Sequence, residues 1–257
     1  MTPTLPAEIS VIQGGSWSVI DFISDLHLQQ SDAANFQTFA HYLTEHSPDA
    51  LFILGDLFEV WVGDDLIYST HGVFEKQCLD ALKTASARFP IYFLAGNRDF
   101  LLGQRALSAG GMQDLSEPSV LKTKTSSILL SHGDNLCLDD LDYKQFRLQV
   151  RSQQWQAEFL AKPLQERIQI AKHLRQQSQQ LKQNKTWYQD VDQSIANEWM
   201  NQLQCDVMVH GHTHKPQSHH LDNKKVRHVL PDWDFDATPH RGYVWRYAQG
   251  VFKAVAL

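Results

Sequence analysis

Five apolar runs recur along the chain, and each stops abruptly at polar residues, mostly beside a glycine. Ser18–Ile23 leads into Ser24, Asp25, Leu26 and His27, and Ala50–Leu54 leads into Gly55 and Asp56. Ile91–Leu94 is followed by Ala95, Gly96, Asn97 and Arg98, and Ser127–Leu130 by Ser131, His132 and Gly133. The last run, Val207–Val209, ends in His210, Gly211, His212, Thr213, His214, Lys215 and Pro216. Short apolar runs bounded by turn residues predict buried strands. Helical periodicity over 34–45, 73–88 and 193–204 separates them, and 226–230, 243–247 and 251–256 predict three closing strands. Residues 1–16 carry little pattern and are expected to form a loosely ordered extension.

Strands alternating with helices predict an α/β fold, in which ligands gather beyond the carboxyl ends of the strands. Simple turn chemistry would place Ser, Gly, Pro and Asn there. The residues present are instead Asp25, His27, Asp56, Asn97, His132, His210 and His212. Asp25 and His27 stand two apart, so an extended segment projects both to one side. His210 and His212 reach the same space only through a sharp turn, which Gly211 permits. Taken alone, the 207–216 stretch reads equally well as a polar loop that contains histidines; the other four strand ends weigh against that reading.

The composition narrows the setting. With 257 residues and 42% apolar content, the chain can bury a substantial core as one large domain or as a domain with an insertion. No stretch approaches the roughly 18 consecutive apolar residues of a membrane span, and the start lacks a signal-peptide pattern, so a cytoplasmic protein is expected. Cys78, Cys137 and Cys205 are widely spaced, which opposes disulfides and a thiolate zinc site. The formal charge of −6 opposes general nucleic-acid binding.

Residues 144–185 differ from the rest. They carry nine Lys or Arg against two acidic residues, about +7 against about −13 for the remainder. Trp155, Phe159, Leu160, Leu164, Ile168 and Leu174 recur at helical spacing, so an amphipathic helical insertion is expected. Its apolar stripe can simply pack on the body; it can also cover an anionic, partly apolar ligand or touch anionic lipid.

Seven mixed oxygen and nitrogen donors are too many for one tetrahedral zinc. They suit two divalent ions sharing a carboxylate, with Asp56 the central candidate, and they favour manganese, iron or magnesium-like ions. A pair of cations acidifies water and neutralises charge on phosphoryl oxygens, which suits displacement at phosphorus.

Asp25-x-His27, Gly55-Asp56, Gly96-Asn97, His132 and His210-x-His212 resemble the motif set of the calcineurin-like metallophosphoesterases over about residues 18–215. The longer blocks at 55–65, 96–103, 132–140 and 210–216 resemble the UDP-2,3-diacylglucosamine diphosphatase family of lipid A biosynthesis. The resemblance implies a four-layer α/β/β/α sandwich over 17–257 with a helical cap inserted at about 142–190. It implies hydrolysis of the sugar-nucleotide pyrophosphate at the α-phosphorus, giving UMP and 2,3-diacylglucosamine 1-phosphate. Two Mn²⁺ ions are implied, one on Asp25, His27, Asp56 and His212, the other on Asp56, Asn97, His132 and His210. Catalytic roles fall on Asp56, Asn97 and Arg98, and substrate contacts on Asn97, Arg98, Asp140, Ser178, Lys182, Lys185 and His210.

Two positions depart from the pattern. Most of the superfamily has His where this chain has Arg98; arginine cannot be a general acid near neutral pH but clamps phosphate bidentately. The family commonly has Asn where this chain has Lys182, and residues 231–236 have no functional account. The implied partners are a lipid-linked sugar nucleotide and the cytoplasmic face of the inner membrane, with no nucleic acid and a monomeric chain. A phosphodiesterase or phosphatase for soluble esters, or a non-enzymatic scaffold, are the competing readings; Arg98, the amphipathic insertion and the complete donor set oppose them.

Overall fold

The computed structural model describes residues 4–138, 141–183, 190–221 and 224–257, without the side chains of 141–142 and 178–183. The five runs that stop at polar residues all form strands: β2 (Val19–Ile23), β3 (Ala50–Leu54), β4 (Ile91–Leu94), β7 (Ser127–Ser131) and β8 (Val207–His210). The helical patterns become α1 (Ala33–Glu45), α2 (Val73–Ser86) and α7 (Gln193–Gln202). Asp32 and Asp192 cap α1 and α7 by accepting the backbone N–H three residues on. The closing strands are β10 (Val226–Val229), β11 (Val244–Ala248) and β12 (Val251–Val255).

These elements build two six-stranded mixed sheets. In one, β12, β11, β2, β3 and β4 are followed at the edge by β5 (Met112–Leu115). In the other, β7, β8 and β10 are flanked by β1 (Ser10–Gln13) and β6 (Ser119–Lys122) on one side and β9 (Gln217–His220) on the other. The strands β2, β3 and β4 run parallel, as do β7, β8 and β10. The carboxyl ends of the five motif strands therefore meet at one rim.

Strand alternation sorts the core into layers. Phe22, Phe52 and Leu54 from one sheet meet Leu121, Ile128, Leu130 and Val209 from the other, and Phe22 stacks on Phe52 with centroids 5.4 Å apart. The opposite face of the first sheet, with Ile23, Leu51, Ile53 and Phe93, packs on α1, α2 and α3 (Gln104–Gly110). The outer face of the second, with Leu129 and Met208, packs on Ala196, Trp199 and Met200 of α7. This is the expected four-layer α/β/β/α sandwich. Strand β3 is buried at every position because both of its faces are covered. Asp21 interrupts the first run yet is wholly buried; Tyr42 donates to it at 2.7 Å and Arg246 binds it bidentately at 2.7 Å.

The expectation of a loose N-terminal extension is corrected at Ser10–Gln13, which pairs parallel with β6 from Ser10↔Ser119 to Gln13↔Lys122. Only Ile12 of that strand is buried, so the hydrophobic pattern that marks interior strands is missing.

The insertion between β7 and β8 contains α4 (Leu141–Val150), α5 (Gln153–Leu160) and α6 (Leu164–Gln183). Trp155 stacks on Phe159 at 4.8 Å, and Trp155, Phe159, Leu164 and Ile168 all pack against the core around Trp61 and Val62. That part of the apolar stripe seats the insertion on the body, while Leu160 stays exposed. Arg167, only 2% exposed, pins α6 by donating to the Val62 carbonyl and pairing with Asp65. Among the described residues no helix is long and apolar enough to cross a membrane.

Candidate metal centre

The backbone at the rim is unusual. Asp25, His27, Asp56, His212 and His214 all have positive φ, between 49° and 68°. Such left-handed residues cost about 1–3 kcal/mol each and persist where surrounding structure fixes them. Here the loops brace one another: Asp25 N–H donates to the Gly55 carbonyl at 3.1 Å, His27 N–H to that of Asp56 at 3.0 Å, and Gly211 N–H to that of His132 at 3.0 Å. Gly55 has φ +89°, and a Cβ on Gly96 would collide with the Asp56 carboxylate and backbone nitrogen, so two of the motif glycines are required by close approach.

Buried Asp99 ties two of these loops together by accepting from the backbone of Gly96 and Leu57, both at 2.8 Å. Burial and the neighbouring Asp56 push its carboxyl up to about 6.

Two groups of donors converge. The ligand atoms of Asp25, Asp56 and His132 lie within 4.8 Å of one another, and so do those of Asp25, His27 and His214. Asn97 joins the first group: its Oδ1 lies 2.9 Å from His132 Nε2 and 2.8 Å from His212 Nδ1. His132 Nδ1 meets the Leu54 carbonyl at 2.9 Å, which turns Nε2 toward the rim. Asp25 is common to both groups, whereas the resemblance assigns the shared role to Asp56. Asp56 Oδ1 accepts from Arg98 N–H at 2.8 Å and its Oδ2 lies 3.6 Å from His132, which turns it to the Asn97 flank. His210 is buried nearby, but its Nε2 meets Arg227 at 3.0 Å and its Nδ1 the Gly211 carbonyl at 2.9 Å, so both ring nitrogens have protein partners.

The electrostatics suit cations. Asp25 Oδ1 is buried without a hydrogen-bond partner, a costly state for a carboxylate that a metal ion relieves. Burial alone would raise the Asp25 pKa, but His214, His132 and His27 hold it well below the usual carboxylate range. Burial drives His212 and His210 down to about 3, helped by positive neighbours, His132 for one and Arg227 for the other. Burial also lowers His27. Neutral imidazoles are the ligand form. His132 behaves oppositely: burial is outweighed by Asp56, Asp25 and Asp134, which raise it to about 9, and a divalent cation against those carboxylates would compete with its proton. The residues present therefore fit a divalent metal.

Several neighbours are visible only in the structure. Glu59 sits 3.0 Å from His27 Nδ1, 3.8 Å from Arg98 and against Arg175, so it stands between a donor, the strand end and the cap. Asp134 accepts from Tyr143 and from Arg147, both at 2.7 Å; burial opposes its charge, yet Arg147 and Arg151 hold it well below the usual range. Glu59, Asp99, Asp134 and His214 all lie inside the motif blocks, and that position was their only signal. Arg227 had none. Of the expected substrate contacts, Arg98 lies at the rim; Asp140 and Lys185 fall outside the described residues, as do the side chains of Ser178 and Lys182.

Residues 18–216 match the calcineurin-like phosphoesterase family, and the chain belongs to it. Membership carries divalent-metal binding as the family's chemistry. Within that family it groups with proteins named UDP-2,3-diacylglucosamine hydrolase. It is 41% identical over 238 residues to the one from Bordetella pertussis, covering 90% of each chain. Against the Chromobacterium violaceum protein the identity is 43%, covering 83% of this chain and 90% of that one. Against the Coxiella burnetii protein it is 36%, covering 91% and 96%.

Proposed function

We propose that the chain hydrolyses the pyrophosphate of UDP-2,3-diacylglucosamine by attack of water on the α-phosphorus, releasing UMP and 2,3-diacylglucosamine 1-phosphate in lipid A biosynthesis. The observation that carries this reading is the gathering of Asp25, Asp56, Asn97, His132 and His212 at one rim of a chain whose relatives bear the name of that hydrolase.

Asp25, His27, Asp56 and His212 would hold one Mn²⁺, and Asp56, Asn97, His132 and, with its Nε2 released from Arg227, His210 the other. Bound there, the ions would lower the pKa of water and offset charge on the phosphoryl oxygens. The chain's own residues do the positioning. The Leu54 carbonyl fixes the His132 ring, and the Glu59 carboxylate lies 3.0 Å from His27 Nδ1. Arg98 stands where a general acid is common in the superfamily, with its Nε buried and unpartnered and its Nη1 near Glu59. It clamps a phosphate oxygen; a sugar 1-phosphate leaves without needing a proton from the protein.

Asp140, Ser178, Lys182 and Lys185 would contact the substrate, the two lysines through its pyrophosphate or its glucosamine head. The exposed Phe146, Leu148 and Leu160, within a basic insertion, support peripheral attachment of a monomer to the cytoplasmic face of the inner membrane.

The test is turnover of UDP-2,3-diacylglucosamine with Mn²⁺ in ¹⁸O water. Label is expected in UMP. Label in the lipid phosphate would refute attack on the nucleotide side, and no turnover would refute the substrate.

A further inference from the structure

A second concavity adjoins the metal centre on the side away from the insertion. It is a cleft of about 500 Å³, and its wall includes Thr213, His214, Pro216, Asp232, His240 and Tyr243. That volume lies in the range of small-molecule sites. His214 belongs to both: its Nε2 is 3.3 Å from Asp25 Oδ1, and its Nδ1 is 3.7 Å from Asp232.

The far wall is the 231–243 segment, whose acidic and aromatic residues had no role in the sequence. It is built and anchored. Asp234 and Arg241 exchange backbone hydrogen bonds at 3.0 and 2.9 Å, and the Arg241 guanidinium pairs with Asp232 at 3.1 Å and Asp234 at 2.9 Å. Trp233 N–H donates to the Asp25 carbonyl at 3.0 Å, and Asn35 of α1 donates to the Trp233 carbonyl at 2.8 Å while accepting from Phe235 N–H at 2.9 Å. The segment is thus tied directly to a residue of the metal centre.

We propose that this cleft is the nucleoside subsite, holding the uracil and ribose of the substrate while its pyrophosphate lies over the donors. The proposal rests on the pyrophosphohydrolase reading. Its geometry is a matter of flanks. The insertion reaches the centre through Arg147 on Asp134 and Arg151 on the Gly96 carbonyl, on the side of the β7 and β4 ends, and only Arg175 on Glu59 comes near His27. The lipid-bearing half of the molecule belongs under the insertion, so the nucleoside half leaves on the side of Asp25 and His214.

The chemistry agrees. Tyr243 offers a half-buried ring on which a base can stack. Thr213 is only 7% exposed, and its hydroxyl has no partner among the described residues, so a ligand group would satisfy it. The Asp232 carboxylate supplies acceptors suited to ribose hydroxyls.

The experiment uses the intact protein with diamagnetic Mg²⁺ and UMP as the probe. In the unsubstituted protein, UMP is expected to shift the Tyr243 ring resonances, and saturation transfer is expected at the uracil protons. Tyr243→Ala should weaken UMP inhibition by about tenfold, the size of one base–aromatic stack, and Tyr243→Phe should restore it. Inhibition by 2,3-diacylglucosamine 1-phosphate should stay unchanged. Tyr243 resonances insensitive to UMP, or a Tyr243→Ala protein with native melting and unaltered UMP inhibition, would overturn the subsite. Absence of turnover by the unsubstituted protein would instead overturn the functional reading, because UMP binding is read without turnover.

Discussion

The strand-end rim and the α4–α6 insertion face the same space but are made in opposite ways. The rim is rigid: its donors sit on loops joined by backbone hydrogen bonds, held in left-handed conformations and braced by buried Asp99. The insertion meets the body through aromatic contacts and a few side-chain anchors, Arg167, Arg147 and Arg151. Preorganised chemistry tolerates little movement, while grip on a large apolar substrate tolerates, and benefits from, an adaptable cover. Damage to the rim should therefore appear in kcat, and damage to the insertion in KM.

The sharpest way to test that division is Asp56→Ala. It is expected to cut turnover by about 10³-fold or more, since this carboxylate serves both proposed ions, with little change in circular dichroism. An effect confined to KM would break the comparison.

Next in size is Arg167→Met. Removing the anchor at Val62 and Asp65 should raise KM for the lipid substrate about tenfold, leave kcat nearly unchanged and expose the 150–163 region to limited proteolysis. A fall in kcat with constant KM would show that the insertion also shapes the chemistry.

The smallest effect belongs to Leu148→Glu. Leu148 is 69% exposed and belongs to no apolar core cluster among the described residues, so hydrolysis of detergent-solubilised substrate should be unchanged. Flotation with anionic vesicles should fall several-fold. Equal flotation of both proteins would remove the exposed face of α4 from the membrane contact.

The same contrast governs how much could be read from the chain alone. Apolar runs ending in Asp, Asn or His announce themselves by residue type, so the five motif strands, the donors at their ends and an α/β fold were legible, while the four-layer sandwich came from the resemblance of the motifs to a known family. The four-residue strands β5, β6 and β9 were not, because β5 and β9 bury few residues and β6 lies in a stretch without alternation. For the insertion, periodicity revealed helices but not the direction of their apolar stripe. Trp155, Phe159 and Leu164 turn to the body, leaving Leu160 and part of α4 to solvent. His214 and Arg227 were missed for a further reason: their roles depend on which ring or guanidinium they face across the fold.

The backbone shape beneath Asp25 and Asp56 has a practical consequence for anyone wishing to capture the substrate. Asparagine enters that conformation at least as readily as aspartate and has nearly the same outline, whereas valine or isoleucine is strongly disfavoured there. Exchanging these two carboxylates for amides would remove the negative charge that recruits cations while leaving the loops in place. Such a protein should be an inert, well-formed receptor for the intact sugar nucleotide.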